Sequence, residues 1–346
     1  MLFAQTQQAR LSASQDIQVD LKALDSDQFR ITLGAQTLAA QAVQRSVVNG
    51  STVVESTFAG GGDLLVARDG ATLTGVLRVG AMGYEIQPTP GGGHRLIPRS
   101  LERPRPIHGP LWDRISAERG APAPLRRTTG TTEISVLFAY TDEVEKKRTL
   151  AGINGHIAVA MMQLRRAGRA GKVNARFVAI KPPTRTIGKE DGRSVEEIYY
   201  LALKRDGEFK DAHAARKEAR ADILVLLVDR VEGGLGAATI MAEPDTAVAV
   251  ADHNDSLYGL TIPHEIGHIM GGIHDDDTSD YPYPYGHGYV GAEGRTIMSN
   301  RCHGQDDCIL LQQWSSASGH GDEDKYDVAR VVRENAATVA TFGDNL

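Results

Sequence analysis

Three histidines and a glutamate stand at a fixed spacing between residues 264 and 274. His264 and His268 are four residues apart, so on a helix they lie one turn apart on one face and can present two imidazole nitrogens to one ion. Glu265 lies beside them, where a carboxylate can serve as a base. Three protein ligands leave the fourth position of a tetrahedral ion for water, which distinguishes a catalytic zinc from a structural one. The spacing therefore predicts a zinc centre with Glu265 as the general base.

His274 is the expected third ligand of this centre. For its side chain to reach the same ion, the helix must end soon after His268 and the chain must turn back. Gly271 is the residue type that adopts a left-handed backbone conformation without a Cβ penalty, so we expect it to form that turn. The alternatives are histidines that fall into this spacing by accident, and a zinc site that has lost activity.

The run from His264 to Asp275 reads His-Glu-x-x-His-x-x-Gly-x-x-His-Asp and is followed by Met298. This pattern resembles the signature of the metzincin metalloproteases, with the His-Asp ending of the adamalysin/reprolysin branch. Within that clan, the run Tyr285-Gly-His-Gly-Tyr289 and the N-terminal region are most similar to the bacterial peptidyl-Asp metalloendopeptidases. The resemblance implies an α/β (α+β) metzincin-type catalytic domain with a zinc helix and a Met-turn, Zn²⁺ as cofactor, and protein or peptide substrates.

Two further residues of the pattern are expected to support the centre. The resemblance implies that Asp275 forms a hydrogen bond near the Met-turn and holds the ligand loop. In the alternative, Asp275 only begins an acidic loop. Met298 is expected to form a hydrophobic floor beneath the zinc, because a thioether packs more often than it binds metal.

The same resemblance implies cleavage on the amino side of aspartate, and such a preference requires a cation in the S1′ pocket. In metzincins the chain just after the Met-turn forms the wall of that pocket, and here this segment reads Ser-Asn-Arg301-Cys302. A guanidinium has the planar fork that matches a carboxylate, so Arg301 is the first candidate and Arg295 the second. The alternative is that Arg301 is an ordinary solvent-facing loop residue.

The two cysteines and the first residues of the chain indicate the cellular compartment in which the protein functions. Cys302 and Cys308 lie six residues apart and would close a small disulfide in an oxidising compartment, with free buried thiols as the alternative. The run from Leu2 to Gln5 reads as the tail of a signal peptide with Ala4 at the cleavage position. We therefore expect a secreted or otherwise exported bacterial protein.

Further histidines and several acidic runs lie after His274 in the chain. His287, His303 and His320 stand among Gly and Asp in loops, so we expect them to be solvated or structural. The acidic runs 275–280, 306–307 and 322–327 are candidates for Ca²⁺, but none has the spacing of an EF-hand, and solvated loops are the alternative.

The elements that position the pattern are predicted to alternate between strands and helices. We expect strands at 134–140 and 173–180, a helix at 149–168, and a helix opened by a capping box at Ser194 and Glu197. The apolar run 221–228 predicts a buried central strand, which indicates an α/β organisation. We expect 246–251 to be the edge strand next to the zinc helix, and 323–340 to close the chain as a helix.

The N-terminal part of the chain has a different composition. Residues 1–98 carry short alternating runs punctuated by glycines and predict a β-rich domain, which resembles the pro-region of reprolysin-type proteases. That resemblance implies a zymogen with an intramolecular inhibitor. Residues 99–130 are rich in Pro and Arg and predict an extended linker. We therefore expect residues 131–346 to form the domain that the resemblance identifies as the protease.

Composition excludes several other classes of protein. The chain has 346 residues and a net charge of −6, which argues against nucleic acid as a partner. No run approaches the roughly 18 apolar residues that span a bilayer, so we expect no membrane segment. Two competing functions stay open: a catalytically silent module that binds zinc or a peptide, and a zinc hydrolase that acts on a non-protein substrate.

Overall fold

The computed structural model describes residues 13–79, 82–99, 130–229, 232–278, 281–300, 302 and 308–346. These residues form two compact units. The first holds the described residues up to 99 together with residues 145–162, and the second holds residues 130–144 and the described residues from 163 onward. The predicted domain boundaries stay predictions, because nearly all of the expected linker lies outside the described residues.

The first unit contains an eight-stranded antiparallel sheet, in which the second to seventh strands each pair with the next strand along the chain through a short connection, and the first strand pairs with the last. The strands are β1 Gln15–Ile17, β2 Arg30–Leu33, β3 Gln36–Val48, β4 Ser51–Phe58, β5 Asp63–Asp69, β6 Thr72–Val79, β7 Met82–Pro88 and β8 His94–Arg99. Their spatial order is β1-β8-β7-β6-β5-β4-β3-β2. The alternating apolar residues of the middle strands form a core that includes Leu64, Leu77 and Ile86.

The first part of a long helix belongs to the same unit and lies against this sheet at two glycines. Helix α1 spans Asp142–Lys147 and is followed by helix α2, Leu150–Ala170. A Cβ atom on Gly152 would lie 2.9 Å from Cγ of Pro88, and one on Gly155 would lie 2.9 Å from Oγ1 of Thr74. The absence of side chains at these two positions therefore lets the first half of α2 approach the sheet.

The second unit is organised around a mainly parallel sheet. Its strands are β9 Thr132–Thr141, β10 Ala175–Ala179, β11 Thr184–Thr186, β12 Ile223–Val228, β13 Gly236–Ala238 and β14 Val248–Asp252. Their spatial order is β10-β9-β12-β14-β13, and β11 also pairs with β9. All six residues of β12 are buried, as expected for a strand covered on both faces. The prediction of a buried central strand is thus confirmed.

The predicted edge strand is wrong in one respect. Strand β14 pairs with β12 on one side and with β13 on the other, so β13 forms the edge. The antiparallel β13 is only three residues long and reads Gly-Ala-Ala. A segment this short, with small residues that lack β propensity, gives no strand signal in the sequence.

The remaining helices of the second unit are α3 Val195–Leu203, α4 Lys210–Glu218, α5 Thr261–Ile269 and α6 Val328–Val339. Helix α3 begins with the predicted capping box, in which Ser194 and Glu197 bond each other's backbone N–H groups. Helix α6 begins later than predicted because the side chain of Asp327 caps it through the N–H of Arg330. Short elements are β15 Val290–Gly291, β16 Gly294–Arg295 and 3-10 turns at Leu21–Asp25, Pro244–Thr246 and Gly343–Asn345.

The architecture is a mixed α/β fold with a β-rich N-terminal region, which confirms the coarse fold class. Among the helices in the described part of the chain, none combines the length and apolar character needed to cross a bilayer.

Candidate metal centre

Helix α5 carries the first two histidines of the pattern and is buried along its whole length. It begins after Leu260, which has a left-handed backbone conformation with φ 54°. Pro263 lies in the first turn, where its missing N–H leaves no bond unmade. His264 and His268 therefore lie one turn apart on one face of a helix whose residues are all buried.

The chain reverses direction directly after this helix. Gly271 has φ 101°, a conformation that favours glycine. The N–H of Gly272 donates to the carbonyl of Gly267 at 2.8 Å, which closes the end of the helix. This turn carries His274 back to the face where the other two histidines lie.

The three histidines converge on one point. The Nε2 atom of His264 lies 3.1 Å from that of His268 and 3.1 Å from that of His274, and the His268 and His274 atoms are 3.0 Å apart. Four ligands placed 2.0–2.1 Å from a tetrahedral zinc are separated by about 3.3 Å, so the spacing is close to that of a zinc site. In the described part of the chain, these side chains form the group that could hold a metal ion.

Hydrogen bonds fix the rings of two of these histidines. Nδ1 of His264 donates to the carbonyl of Ile297 at 2.7 Å, and Nδ1 of His268 donates to the carbonyl of Gly272 at 2.9 Å. A carbonyl only accepts, so both hydrogens are on Nδ1 and both Nε2 atoms present lone pairs to the shared point. Buried lone pairs this close repel each other unless a cation lies between them, and neutral imidazoles are the ligands that zinc takes.

Glu265 lies next to the first histidine and is also buried. Strand β13 passes close to it. A Cβ atom on Gly236 would lie 2.6 Å from Oε1 of Glu265 and 2.6 Å from Cγ2 of Thr261. The space for the carboxylate thus depends on the absence of a side chain at Gly236.

Met298 packs against helix α5 at Gly267. Its side chain is fully buried, and a Cβ atom on Gly267 would lie 2.4 Å from its Sδ. Trp314 lies in the same layer, and its indole N–H donates to the carbonyl of Pro263 at 3.2 Å. The packing role of Trp314 was not predicted, because nothing in the local sequence relates it to a helix that begins 53 residues earlier.

Asp275 and Arg295 both bind the turn that follows Met298. Oδ1 of Asp275 accepts a hydrogen bond from the N–H of Asn300 at 2.7 Å. Nη1 of Arg295 donates to the carbonyls of Ser299 and Asn300 at 3.2 and 3.0 Å. Burial lowers the pKa of Arg295, and the Asp275 charge opposes that shift. Arg295 is 2% exposed, so its guanidinium lies inside the turn rather than on its surface.

The other predicted residues lie after this turn. Arg301, His303 and the acidic pair 306–307 are outside the described residues. Cys302 and Cys308 are joined by a disulfide with an S–S distance of 2.01 Å. No group of three acidic side chains in the described ranges comes close enough together to hold a cation.

Comparison with known proteins agrees with the predicted family. Residues 184–308 match the model of metallopeptidase family M12, Reprolysin_5. The peptidyl-Asp metalloendopeptidases of Stenotrophomonas maltophilia strains K279a and R551-3 are each 26% identical over 312 residues, which cover 82% of this chain and 71% of the relative. These matches confirm the resemblance drawn from the sequence and support a zinc metalloendopeptidase.

Two solved structures align more distantly. Metalloproteinase-II from Bacteroides fragilis aligns with a TM-score of 0.40 and 12% identity, covering 73% of this chain and 83% of that chain. A chain in a structure of a chaperone–substrate complex aligns with a TM-score of 0.49 and 18% identity, covering 62% of this chain and 36% of that chain. At these TM-scores neither alignment carries an argument about function.

Proposed function

We propose that this chain is a zinc-dependent endopeptidase in which His264, His268 and His274 hold the metal and Glu265 is the general base. The observation that carries the proposal is the convergence of three buried Nε2 atoms within 3.0–3.1 Å of one another. The match to metallopeptidase family M12 and the names of the curated relatives support it.

When bound, zinc supplies Lewis acidity, which activates water at neutral pH and polarises the carbonyl of the bond to be cut. The chain's own residues then move the proton. A carboxylate oxygen of Glu265 takes it from the attacking water and returns it to the leaving amine, so no serine or cysteine nucleophile is required. Gly236 leaves room for that carboxylate, since a Cβ atom there would lie 2.6 Å from Oε1.

The residues around the histidines are proposed to hold this geometry. Asp275 and Arg295 bind the backbone of the turn after Met298, and Met298 packs against Gly267 of the helix. Partners of this kind orient metal ligands, and their loss lowers metal affinity or activity. Gly271 allows the reversal that brings His274 to the site, because its φ of 101° is unfavourable for other residues.

A preference for aspartate at P1′ is the finer part of the proposal, and the printed name of the relatives supports it. Arg301 is the first candidate for the recognition residue and Arg295, whose donors bind the turn, is the second. Mapping of cleavage sites in a mixed peptide library tests both statements. A parent without P1′ aspartate preference contradicts the specificity, whereas a preference that survives Arg301→Ala contradicts only the assignment of Arg301.

We further propose that the protein is exported and made as a zymogen, with the N-terminal domain as its inhibitor until the linker is cut between about Arg114 and Thr131. The composition break at this linker and the resemblance of residues 1–98 to a reprolysin-type pro-region support the proposal.

Casein digestion by the activated chain, with and without a metal chelator, tests the proposed activity. We expect digestion that the chelator stops and added zinc restores. A chain that binds zinc but does not digest casein or any peptide in the library contradicts the proposal and favours a silent binding module. Hydrolysis confined to non-peptide esters or amides favours the zinc hydrolase alternative.

A further inference from the structure

The run Tyr285–Tyr289 lies beside the segment that leads to the third histidine of the site. His287 forms a parallel β-bridge with Ile273. The N–H of Ile273 donates to the carbonyl of Gly286 at 2.8 Å, and the N–H of Gly288 donates to the carbonyl of Ile273 at 3.0 Å. Backbone hydrogen bonds therefore fix this run against the residue that immediately precedes His274.

The side chain of His287 adds a bond to His274 itself. Its Nδ1 atom donates to the backbone carbonyl of His274 at 2.8 Å, and the side chain is buried. This bond fixes the position of the His274 backbone. That position in turn sets the direction in which the His274 ring presents Nε2.

The same run also contacts the turn that contains Met298. A Cβ atom on Gly288 would lie 2.6 Å from the carbonyl carbon of Met298 and 2.7 Å from its oxygen. Residues 287 and 288 thus contact two parts of the site, the His274 loop through an imidazole and the Met298 turn through a bare backbone. The spacing between those parts depends on this short run.

His287 is in turn held by the last part of the chain. Its N–H donates to the carbonyl of Lys325 at 3.1 Å, and its carbonyl accepts a hydrogen bond from Oγ of Ser315 at 2.6 Å. The same Oγ of Ser315 accepts a hydrogen bond from the N–H of Val328, the first residue of α6, at 3.0 Å. The support behind His274 therefore reaches the start of helix α6, beyond the residues matched by the family model.

We propose that His287 is a positioning residue that sets the place of His274 as the third metal ligand. The proposal rests on the proposed function only in that the three histidines hold zinc. It predicts that removing the Nδ1 donor weakens zinc binding, by roughly the 10- to 100-fold typical of the partners that orient metal ligands.

The test measures the zinc dissociation constant of the full chain by competition with a chelator of known affinity. His287→Leu and His287→Gln remove the donor or move it away from the Nδ1 position, whereas His287→Asn places an amide N–H close to that position. The matched control is His213→Leu. His213 is also a buried histidine whose ring nitrogen bonds a backbone carbonyl, that of Ala202 at 2.7 Å, but it lies on α4.

We expect the dissociation constant to rise about 10- to 100-fold in His287→Leu and His287→Gln, to return to within about threefold of the parent in His287→Asn, and to stay unchanged in His213→Leu. The visible absorption of the cobalt(II) form should change in the first two variants only. The Gln variant keeps the test informative if the Leu variant does not fold.

An unchanged constant in the folded Gln or Leu variant, or an equal rise in His287→Asn, overturns this inference and leaves the proposed function intact. If the parent binds no zinc, the proposed function fails, and this inference fails with it.

Discussion

Nδ1 of His264 donates a hydrogen bond to the backbone carbonyl of Ile297, 2.7 Å away and 33 residues further along the chain. Ile297 precedes Met298, and its own N–H donates to the carbonyl of Gln313 at 2.9 Å. The orientation of the first clustered histidine is therefore fixed by a segment remote from its helix. The helix supplies the spacing of His264 and His268, and the later part of the chain fixes the ring of His264.

Gly236→Ala should reduce activity and leave the metal bound. The new Cβ would lie 2.6 Å from Oε1 of Glu265 and 2.9 Å from the carbonyl of Val250, so the carboxylate and the strand must shift. We expect a fall in kcat of about tenfold or more, and a loss of about 1 to 3 kcal/mol in the free energy of unfolding from overpacking. Peptide kinetics, zinc content and urea denaturation measure the three quantities.

The matched control for this variant is Gly319→Ala, in the same unit. A Cβ atom there would meet a single described atom within 4 Å, Nε2 of Gln313 at 3.8 Å. We expect this control to change neither kcat nor stability. Normal kcat in Gly236→Ala would contradict the proposed position of the base.

Asp275→Ala should weaken the site without removing a ligand. The substitution leaves the N–H of Asn300 without its acceptor, at 2.7 Å in the parent, and frees the turn after Met298. We expect the zinc affinity or the activity to fall about 10- to 100-fold. Asp275→Asn keeps an oxygen acceptor and should lose less. Equal losses in the two variants would point to the charge of Asp275 rather than to this hydrogen bond.

Stability should depend on pH through Glu190, at the carboxyl ends of β9 and β12. One of its oxygens bonds the hydroxyl of Thr141, and the other accepts from the N–H of Asp229 at 2.6 Å. Burial raises the pKa of Glu190 from 4.5 to about 7, with the Asp229 and Glu143 charges adding to the shift and these hydrogen bonds opposing it. The stability linked to this group is therefore fully present below pH 4.5 and is lost as pH rises through 7.

Glu190→Gln stays neutral at every pH and can still bond both partners. We expect it to be more stable than the parent at pH 8, by about 1 to 2 kcal/mol, and to match the parent near pH 4.5. Urea denaturation of both proteins at several pH values measures the difference. A parent that is the more stable at pH 8 would show that the charged carboxylate has a favourable partner.

Part of this architecture could be read from the sequence because the signals are local. The i, i+4 histidines with Gly271 require only helix geometry and one left-handed residue, and the capping box of Ser194 and Glu197 lies within four residues. The six buried residues of β12 form a continuous apolar run.

The rest depends on contacts between distant residues. His287 was expected to be solvated or structural, and it is buried against the carbonyl of His274. Gly236 lies in a three-residue strand of small side chains, which has no periodicity to detect. The tertiary fold alone brings His287 close to His274 and Gly236 close to Glu265. Neither composition nor sequence spacing could therefore identify these two contacts.

A chain that begins near Thr131 should hydrolyse peptides faster than the intact chain if the N-terminal domain inhibits the site. It should also unfold at a lower temperature, because Gly152 and Gly155 of α2 lie against Pro88 and Thr74 within the first unit. Specific activity and thermal unfolding of the two forms measure both effects. Equal specific activities would remove the zymogen proposal, and equal unfolding temperatures would contradict the structural role of this contact.

The most direct test of the central claim compares zinc content and peptide hydrolysis in the parent and in Glu265→Gln. The substitution keeps the size of a side chain that is 2% exposed and leaves the three histidines in place, so only the base is lost. We predict one zinc per chain in both proteins and a kcat for the variant about 10² to 10⁴ times lower. A zinc-loaded variant that hydrolyses peptides at the parental rate would contradict the account.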